Sequence, residues 1–302
     1  NDAATLYTDG FNLGDTPYYT SYNNGPTVTL APKTNFSINE AIVNYGENIS
    51  WAANANGDGT FWFNMPADDV TVTAAMDLHF TVEGYGESNG KWVFLANPTV
   101  ADITPSLDNH FLVVPESDYD LYRFNQSAEA EWENFKIHYN DGSFRTLTNG
   151  RGYLYARKET YTLTFSSPFN WRVSQDIDLD YDANATAKGW NLVGNPFPVD
   201  AYADKPYFKM NANGDDLIVE EDYTTTPIPA CTGIMVRAEG EGEKVTFTSI
   251  PKYHGQEFNH GRLIVEVFES GERAVSKTVL DKAILSFHQG RRLKKFVFNE
   301  DN

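Results

Sequence analysis

The stretch that decides the fold is GWNLVGNPFPVD, residues 189–200, because a similar stretch, KWVFLANPTVAD, stands at residues 91–102. Trp92 aligns with Trp190, and each stretch is a short apolar run that ends at Asn-Pro. A run without clean alternation is typical of a strand covered on both faces, and proline ends such a strand because it lacks an N–H donor. GWNLVGNPFPVD is therefore predicted to be the opening core strand of a repeated β unit.

A second pair of similar stretches lies further along each copy. NGRGYLYARKETYTLTFSS, residues 149–167, matches ACTGIMVRAEGEGEKVTFTS, residues 230–249, with Arg157 opposite Arg237. GYLYA and GIMVRA predict buried strands, whereas YTLTF and KVTFT alternate as half-exposed strands do. Similarity at two places in the same order indicates an internal duplication in which the connecting loops differ in length.

The sequence predicts an all-β protein of three parts. Its core is a duplicated β-sandwich or jelly roll at residues 81–255, with copies at about 91–167 and 189–249. A small N-terminal β domain at 1–80 precedes it. A C-terminal β extension at 256–302 follows, which is marginal for an independent core, so it is predicted to be incomplete, with packing on the duplicated domain as the alternative. The 14% aromatic content, with 22 Gly and 14 Pro, favours short strands joined by turns.

Helix is predicted in one short place. SAEAEWENF, residues 127–135, favours one or two helical turns. Phe135, Ile137 and Tyr139 recur at every second position just after it, which predicts a strand.

The composition excludes several classes of protein. The formal net charge is −19, and so acidic a surface repels phosphate backbones, which argues against nucleic acid as a partner. Apolar runs are far shorter than the ~20 residues of a spanning helix, so no membrane insertion is expected. Cys231 is the single cysteine, and it is predicted to be a buried structural thiol. The chain begins with NDAATLYTDG rather than Met, so we expect a piece of a longer polypeptide.

Aromatic residues supply the candidate ligand site. TPYYTSYNNG, residues 16–25, contains Tyr18, Tyr19 and Tyr22, whose rings suit stacking on a sugar, and Trp171 is a further candidate. The favoured alternative is that these rings cover the core of a small β domain.

A row of aspartates is the candidate metal site, and calcium is the only cofactor that the sequence suggests. In DIDLDYD, residues 176–182, Asp176, Asp178 and Asp180 share one strand face and offer oxygen ligands for calcium. The favoured alternative is a solvated edge strand, whose charges prevent aggregation.

Other polar motifs are predicted to be structural. NANGDG at 54–59 and NANGDD at 211–216 favour hairpin turns over calcium loops. His254, Glu257 and His260 are spaced too widely for a zinc helix.

Three stretches resemble proteins of one class. GWNLVGNPFPVDA and NGRGYLYA resemble a recurrent β-rich module in large secreted or surface-anchored proteins of Bacteroidetes-type bacteria. MPADDVTVTAAM resembles the closing strand of β-grasp-like surface repeats. Residues 1–80 are therefore expected to form a β-grasp-like repeat, with an Ig-like repeat as the alternative. LDKAILSFHQG and LKKFVFNEDN resemble the start of a β-sandwich found before type IX secretion sorting tails. The resemblance implies an extracellular location at the bacterial cell surface, in an adhesin-like or polymer-handling protein.

The sequence therefore predicts a non-catalytic extracellular module, an adhesin-like segment or a structural spacer, with a glycan or a host surface protein as its partner. The alternative is a carbohydrate-binding accessory module of a secreted polysaccharide-degrading enzyme. An enzyme is disfavoured because the chain has no G-x-S-x-G elbow, no phosphate-binding loop and no cysteine with a histidine near it in sequence. Glycoside hydrolysis stays open, since its carboxylates pair in space rather than in sequence.

Overall fold

A computed structural model describes residues 11–13, 27–45, 49–64, 70–87, 91–249, 261–268, 279–287 and 294–297. It confirms the all-β prediction, because the described residues form antiparallel sheets with one α-helix and a short 3-10 turn. The chain divides into two compact units, Asn1–Lys252 and Tyr253–Asn302.

The strands before the duplicated stretches are β1 (Phe11–Leu13), β2 (Thr27–Pro32), β3 (Phe36–Tyr45), β4 (Ile49–Ala52), β5 (Asn54–Ala55), β6 (Phe61–Asn64) and β7 (Val70–Val82). The first copy contains β8 (Val93–Ala96), β9 (Tyr119–Phe124), β10 (Trp132–Asn134), α1 (Phe135–Asp141), β11 (Gly152–Arg157) and β12 (Tyr161–Ser166). The elements of the second copy are β13 (Ser174–Asp178), β14 (Trp190–Gly194), β15 (Tyr202–Ala203), β16 (Tyr207–Met210), β17 (Leu217–Glu220), β18 (Gly233–Arg237) and β19 (Lys244–Thr248).

Each copy forms a four-stranded sheet, and the two sheets have equivalent strand orders. The strand order is β8-β11-β9-β10 in the first copy and β14-β18-β16-β17 in the second. Gly152 lies opposite Ala96 in the first sheet, and Gly233 lies opposite Gly194 in the second. From their second residue onward β8 and β14 are buried, whereas β12 and β19 alternate between buried and more exposed positions. The assignment of these sheets to a sandwich or jelly roll stays a prediction.

Arg157 and Arg237 are not equivalent, although the sequences align them. β11 has six residues and β18 has five, and both begin at equivalent glycines. Arg157 is buried and donates to the carbonyl oxygen of His110 at 3.1 Å, whereas Arg237 is exposed. The register of the two sheets therefore aligns Ala156, and not Arg157, with Arg237.

Strand β7 crosses the domain boundary that we predicted after residue 80. Residues 70–78 of β7 pair with β3, and residues 77–82 pair with β12 of the first copy. One core cluster contains Leu30 and Phe63 from the N-terminal strands together with Leu163 and Phe165 from β12. Residues on the two sides of position 80 thus share both a sheet and a core.

The two copies meet through reciprocal backbone contacts. Ala96 donates its N–H to the carbonyl oxygen of Cys231 at 2.8 Å, and Gly194 donates to that of Gly150 at 3.0 Å. Isolated bridges pair Leu95 with Thr232 and Arg151 with Val193. Each contact recurs with the roles of the copies exchanged, as in a two-fold symmetric dimer. We call these residues the seam: Leu95, Ala96, Gly150, Arg151, Val193, Gly194, Cys231 and Thr232.

Side chains on both sides of the seam form an apolar cluster between the copies. Phe94 and its equivalent Leu192 are its buried centre, together with Met235. Further out, Trp92 packs edge-on against Tyr122 with ring centroids 5.8 Å apart, and Trp190 packs in the same way against Phe208 at 5.3 Å. The aligned tryptophans thus have the same role in each copy.

Residues 135–139 are helical, so our prediction of a strand there is wrong. The side chain of Asn134 accepts a hydrogen bond from the backbone N–H of Lys136 at 2.8 Å, and Gly142 ends the helix at a φ of 84°. These caps decide the local structure. Phe135 is buried while Ile137 is 69% exposed, so the apolar residues at every second position do not form one buried face of a strand.

The C-terminal unit contains β20 (Gly261–Phe268), β21 (Val279–Phe287) and β22 (Lys294–Val297), which form an antiparallel sheet in that order. Its start at Tyr253 lies close to the boundary predicted at residue 255.

Because the two copies approach closely at the seam, we expect one added methyl group at Gly152 to lower the stability of the protein. A Cβ atom at Gly152 would lie 2.7 Å from the carbonyl oxygen of Val193 and 2.8 Å from Leu192 Cγ, whereas one at Gly240 would meet no atom within 4 Å. We expect Gly152→Ala to lower the free energy of unfolding by roughly 1–3 kcal/mol through overpacking. Gly240→Ala should change it by less than about 0.5 kcal/mol. Urea unfolding of both variants measures these changes in the free energy of unfolding. Equal unfolding midpoints would contradict the close approach of the two copies at the seam.

Candidate functional site

The Asn-Pro motif of the first copy is part of the scaffold. Asn97 is 0% exposed, and its Nδ2 donates to the carbonyl oxygens of Ala101 at 2.9 Å and Leu147 at 2.8 Å. Its Oδ1 accepts the backbone N–H of Thr99 at 2.9 Å. The amide therefore closes the turn after β8 and ties it to the segment before β11.

The motif of the second copy repeats this arrangement. Asn195 is 0% exposed, donates to the carbonyl oxygens of Val199 at 2.9 Å and Ile228 at 3.0 Å, and accepts the N–H of Phe197 at 3.0 Å. Both motifs thus use their polar atoms inside the protein, and neither offers them to a ligand.

A polar cleft at the rim of the seam is the candidate site. It encloses about 230 Å³ between the first copy and the start of the second. Its lining comes from the ends of β9 and β14, the loop before β11 and the segment around β13: Phe124, Gln126, Thr148, Asn149, Gly150, Arg151, Ile177, Asp178, Asp180, Trp190, Asn191, Leu192 and Val193.

Two buried amides join the walls of this cleft. Gln126 donates to the carbonyl oxygen of Asp180 at 2.6 Å and accepts the N–H groups of Asp182 at 3.0 Å and Gly189 at 2.8 Å. Asn191 donates to the same Asp180 carbonyl at 2.9 Å and accepts the N–H of Asp180 at 2.8 Å. Because these amides are fully used, they fix the shape of the cleft.

The charged residues that line the cleft are exposed. The guanidinium of Arg151 forms no hydrogen bond or ion pair with the described part of the chain, and the same holds for the carboxylate of Asp180. Asp178 forms an ion pair with Lys244 at 3.2 Å, with both side chains largely in solvent. A donor group, carboxylates and the half-buried Trp190 together suit a small polar ligand with an apolar face.

The predicted aromatic site is not part of this cleft. Trp171 is half-buried and stacks on Phe36, with ring centroids 6.1 Å apart and an interplanar angle of 24°, and it contacts Phe169 edge-on. Packing against the core is the alternative that we favoured for it. Tyr18, Tyr19 and Tyr22 lie outside the described residues.

The aspartate row is divided among different partners. Asp176 accepts a hydrogen bond from the Thr246 hydroxyl at 3.0 Å, and Asp178 is paired with Lys244. Only Asp178 and Asp180 line the cleft. Within the described ranges, no three acidic, histidine or cysteine side chains gather around a point that would hold a metal ion. Calcium at Asp176, Asp178 and Asp180 stays a prediction.

Both NANGD stretches are turns, as the sequence favoured. In the first, Asp58 accepts the N–H of Thr60 at 2.9 Å and its hydroxyl at 2.6 Å, and these hydrogen bonds lower the pKa of Asp58. In the second, Asn211 and Asp215 are hydrogen-bonded at 2.7 Å between β16 and β17. His254, Glu257 and His260 lie outside the described residues.

Cys231 is buried, as predicted, and burial raises the pKa of its thiol well above the usual range. A thiol held protonated in the interior is a poor nucleophile. Its backbone lies at a φ of 60°, in the left-handed region that its equivalent Gly150 also occupies at 81°.

Sequence reasoning missed Arg151, Gln126 and Trp190 as neighbours in one cleft. Arg151 stands in the quoted NGRGYLYA stretch, at the position that Thr232 occupies in the second copy. A charged residue at a position where the aligned copy has a neutral one was the available signal.

No helix within the described residues has the length and apolar character needed to cross a membrane. In comparisons with known proteins, no family model, no curated protein and no solved structure matches this chain.

The role of the Asn-Pro motif is testable by removing one amide. Asn195→Ala removes the acceptor of the Phe197 N–H and the donor of the Val199 carbonyl oxygen, while the Ile228 carbonyl oxygen keeps the N–H of Ala201; each polar group left without a partner costs roughly 1–3 kcal/mol. We expect a marked drop in melting temperature for Asn195→Ala. The exposed Asn213 is the control, and Asn213→Ala should melt like the unchanged protein. A normal melting temperature for Asn195→Ala would contradict a structural motif.

Proposed function

We propose that this chain is a non-catalytic extracellular module of a bacterial surface or secreted protein, adhesin-like or acting as a spacer, with a glycan or a host surface protein as its partner. The observation that carries the proposal is that the duplicated motifs use their side chains inside the scaffold: Asn97 and Asn195 each hold the turn of their own copy, and Phe94 and Leu192 pack between the copies. The extracellular setting rests on the resemblance of GWNLVGNPFPVDA and NGRGYLYA to surface-protein modules.

The arrangement of carboxylates also supports a non-catalytic role. Glycoside hydrolysis uses two carboxyl groups on opposite sides of the scissile bond. The acidic residues that line the cleft, Asp178 and Asp180, come from one short segment of the chain, and Arg151 comes from the loop before β11. The tyrosines with raised pKa values, Tyr119, Tyr153, Tyr155 and Tyr207, are buried core residues whose shift is caused mainly by desolvation.

Carbohydrate binding, as in an accessory module, is the second candidate, and the cleft is the observation that favours it. Carboxylates accept hydrogen bonds from sugar hydroxyls, a guanidinium donates them, and an indole packs against the apolar face of a sugar ring. Arg151, Asp178, Asp180 and Trp190 place these groups around a space of about 230 Å³, which suits one sugar unit.

The non-catalytic proposal is tested by incubating the purified chain with a panel of soluble polysaccharides. We expect the release of reducing ends to equal that of buffer at every pH tested. Release above buffer that is lost in Asp180→Asn would contradict the proposal and assign catalysis to the cleft.

Glycan binding is tested at Arg151. Because its guanidinium has no hydrogen-bond or ion-pair partner among the residues that the structure describes, Arg151→Ala should leave the melting temperature unchanged and weaken retention in glycan affinity electrophoresis about tenfold or more. Arg172 is equally exposed and lies outside the cleft, so Arg172→Ala is the matched control. Equal retention of the two variants would show that the cleft does not bind the glycan.

A further inference from the structure

Strand β17 exposes an unusual run of apolar side chains. Leu217, Ile218 and Val219 are 41%, 47% and 47% exposed, although they follow one another in a regular strand. β17 ends its sheet, and no strand of the described residues pairs with its outer side. An exposed apolar edge strand is a template for pairing with another chain.

The first copy provides an internal comparison for this edge. Strand β10 is the equivalent of β17, and Glu133, which pairs with Arg123, stands at the position of Ile218. α1 packs against β9 and β10 in the first copy. In the second copy β17 is followed by turns at residues 221–226, and no helix is described there. The equivalent edges therefore differ: in the first copy Glu133 and Asn134 follow the 36% exposed Trp132 and α1 packs beside the strand, whereas in the second copy three apolar residues follow one another.

The apolar edge continues the cluster between the copies. Val219 lies opposite Phe208 and Leu217 opposite Met210, and both partners pack against that cluster. A strand added beside β17 would extend a surface that is already apolar, so it would bury these side chains without isolating a polar group.

The charges that flank this edge limit what can bind. Asp215, Asp216, Glu220, Glu221 and Asp222 surround the apolar residues, and within the described part of the chain only Glu220 has a basic partner, Lys209 at 2.8 Å. Two copies of this strand, parallel or antiparallel, would place acidic ends beside acidic ends. An apolar strand with Lys or Arg at its ends would instead be attracted.

We propose that β17 is a docking edge for an extended segment of a partner protein, with an apolar centre flanked by Lys or Arg. The segment adds as a further strand, so main-chain hydrogen bonds provide affinity and the flanking charges select the partner. This interaction goes beyond the proposed function and does not depend on glycan binding.

The test uses the full 302-residue chain and fluorescein-labelled peptides KKVTVTVKK and EEVTVTVEE in fluorescence anisotropy. We expect the lysine-flanked peptide to bind at least tenfold more tightly than the glutamate-flanked one, and less tightly as salt rises. The triple variant Leu217→Thr, Ile218→Thr, Val219→Thr keeps residues suited to strands and should lose at least tenfold in affinity.

The matched control is Val114→Thr with Val173→Thr, which changes two valines that are 79% and 57% exposed elsewhere on the surface. It should bind the lysine-flanked peptide like the unchanged chain, and all proteins should share one melting temperature. Equal affinity for the two peptides, or binding that survives the triple variant, would overturn the proposal. Concentration-dependent self-association that the triple variant abolishes would overturn it in favour of a second copy.

Discussion

The rest of the structure depends on the pair of backbone hydrogen bonds at the seam, from Ala96 to Cys231 and from Gly194 to Gly150. They require two sheets to approach closely enough for main chains to bond. Glycine allows this approach, since a Cβ atom at Gly194 would lie 2.6 Å from that of Ala96. Apolar packing of Phe94, Leu192 and Met235 follows from the same approach.

The seam also accounts for the single cysteine. Gly150 and Cys231 are equivalent and both have positive φ, which costs a non-glycine residue roughly 1–2 kcal/mol. A Cβ atom at Gly150 would lie 2.4 Å from Ile177 Cδ1, so a side chain there would have to displace the end of Ile177. Cys231 instead packs into the large core cluster, and this burial offsets the strain. The thiol is thus explained by packing.

The sequence was sufficient to predict the strands but not their assembly. The Trp-x-x-x-x-Asn-Pro runs and the alternating stretches YTLTF and KVTFT have local patterns, and the structure has strands at each of these four places. The cleft could not be predicted, because Gln126, Arg151 and Trp190 are far apart along the chain and meet only through the seam. α1 was missed because its caps, Asn134 and Gly142, outweigh a chance alternation of Phe135, Ile137 and Tyr139. The shift between Arg157 and Arg237 arises because both strands continue without a gap from the equivalent glycines, Gly152 and Gly233, whereas matching the two arginines requires a gap of one residue.

Comparing the two copies distinguishes residue positions that the scaffold requires from positions at which the residue differs. Backbone groups at the seam bond across the copies, and the asparagine of each Asn-Pro turn bonds within its own copy, so removing an asparagine leaves polar groups of that turn without their partner. The side chains of the seam that reach its rim, and those at the outer edge, carry no such constraint, and there the copies differ: Arg151 against Thr232, and Glu133 against Ile218. Because the shared positions are committed to the scaffold, the chemistry that distinguishes this protein belongs to the positions where its two halves disagree.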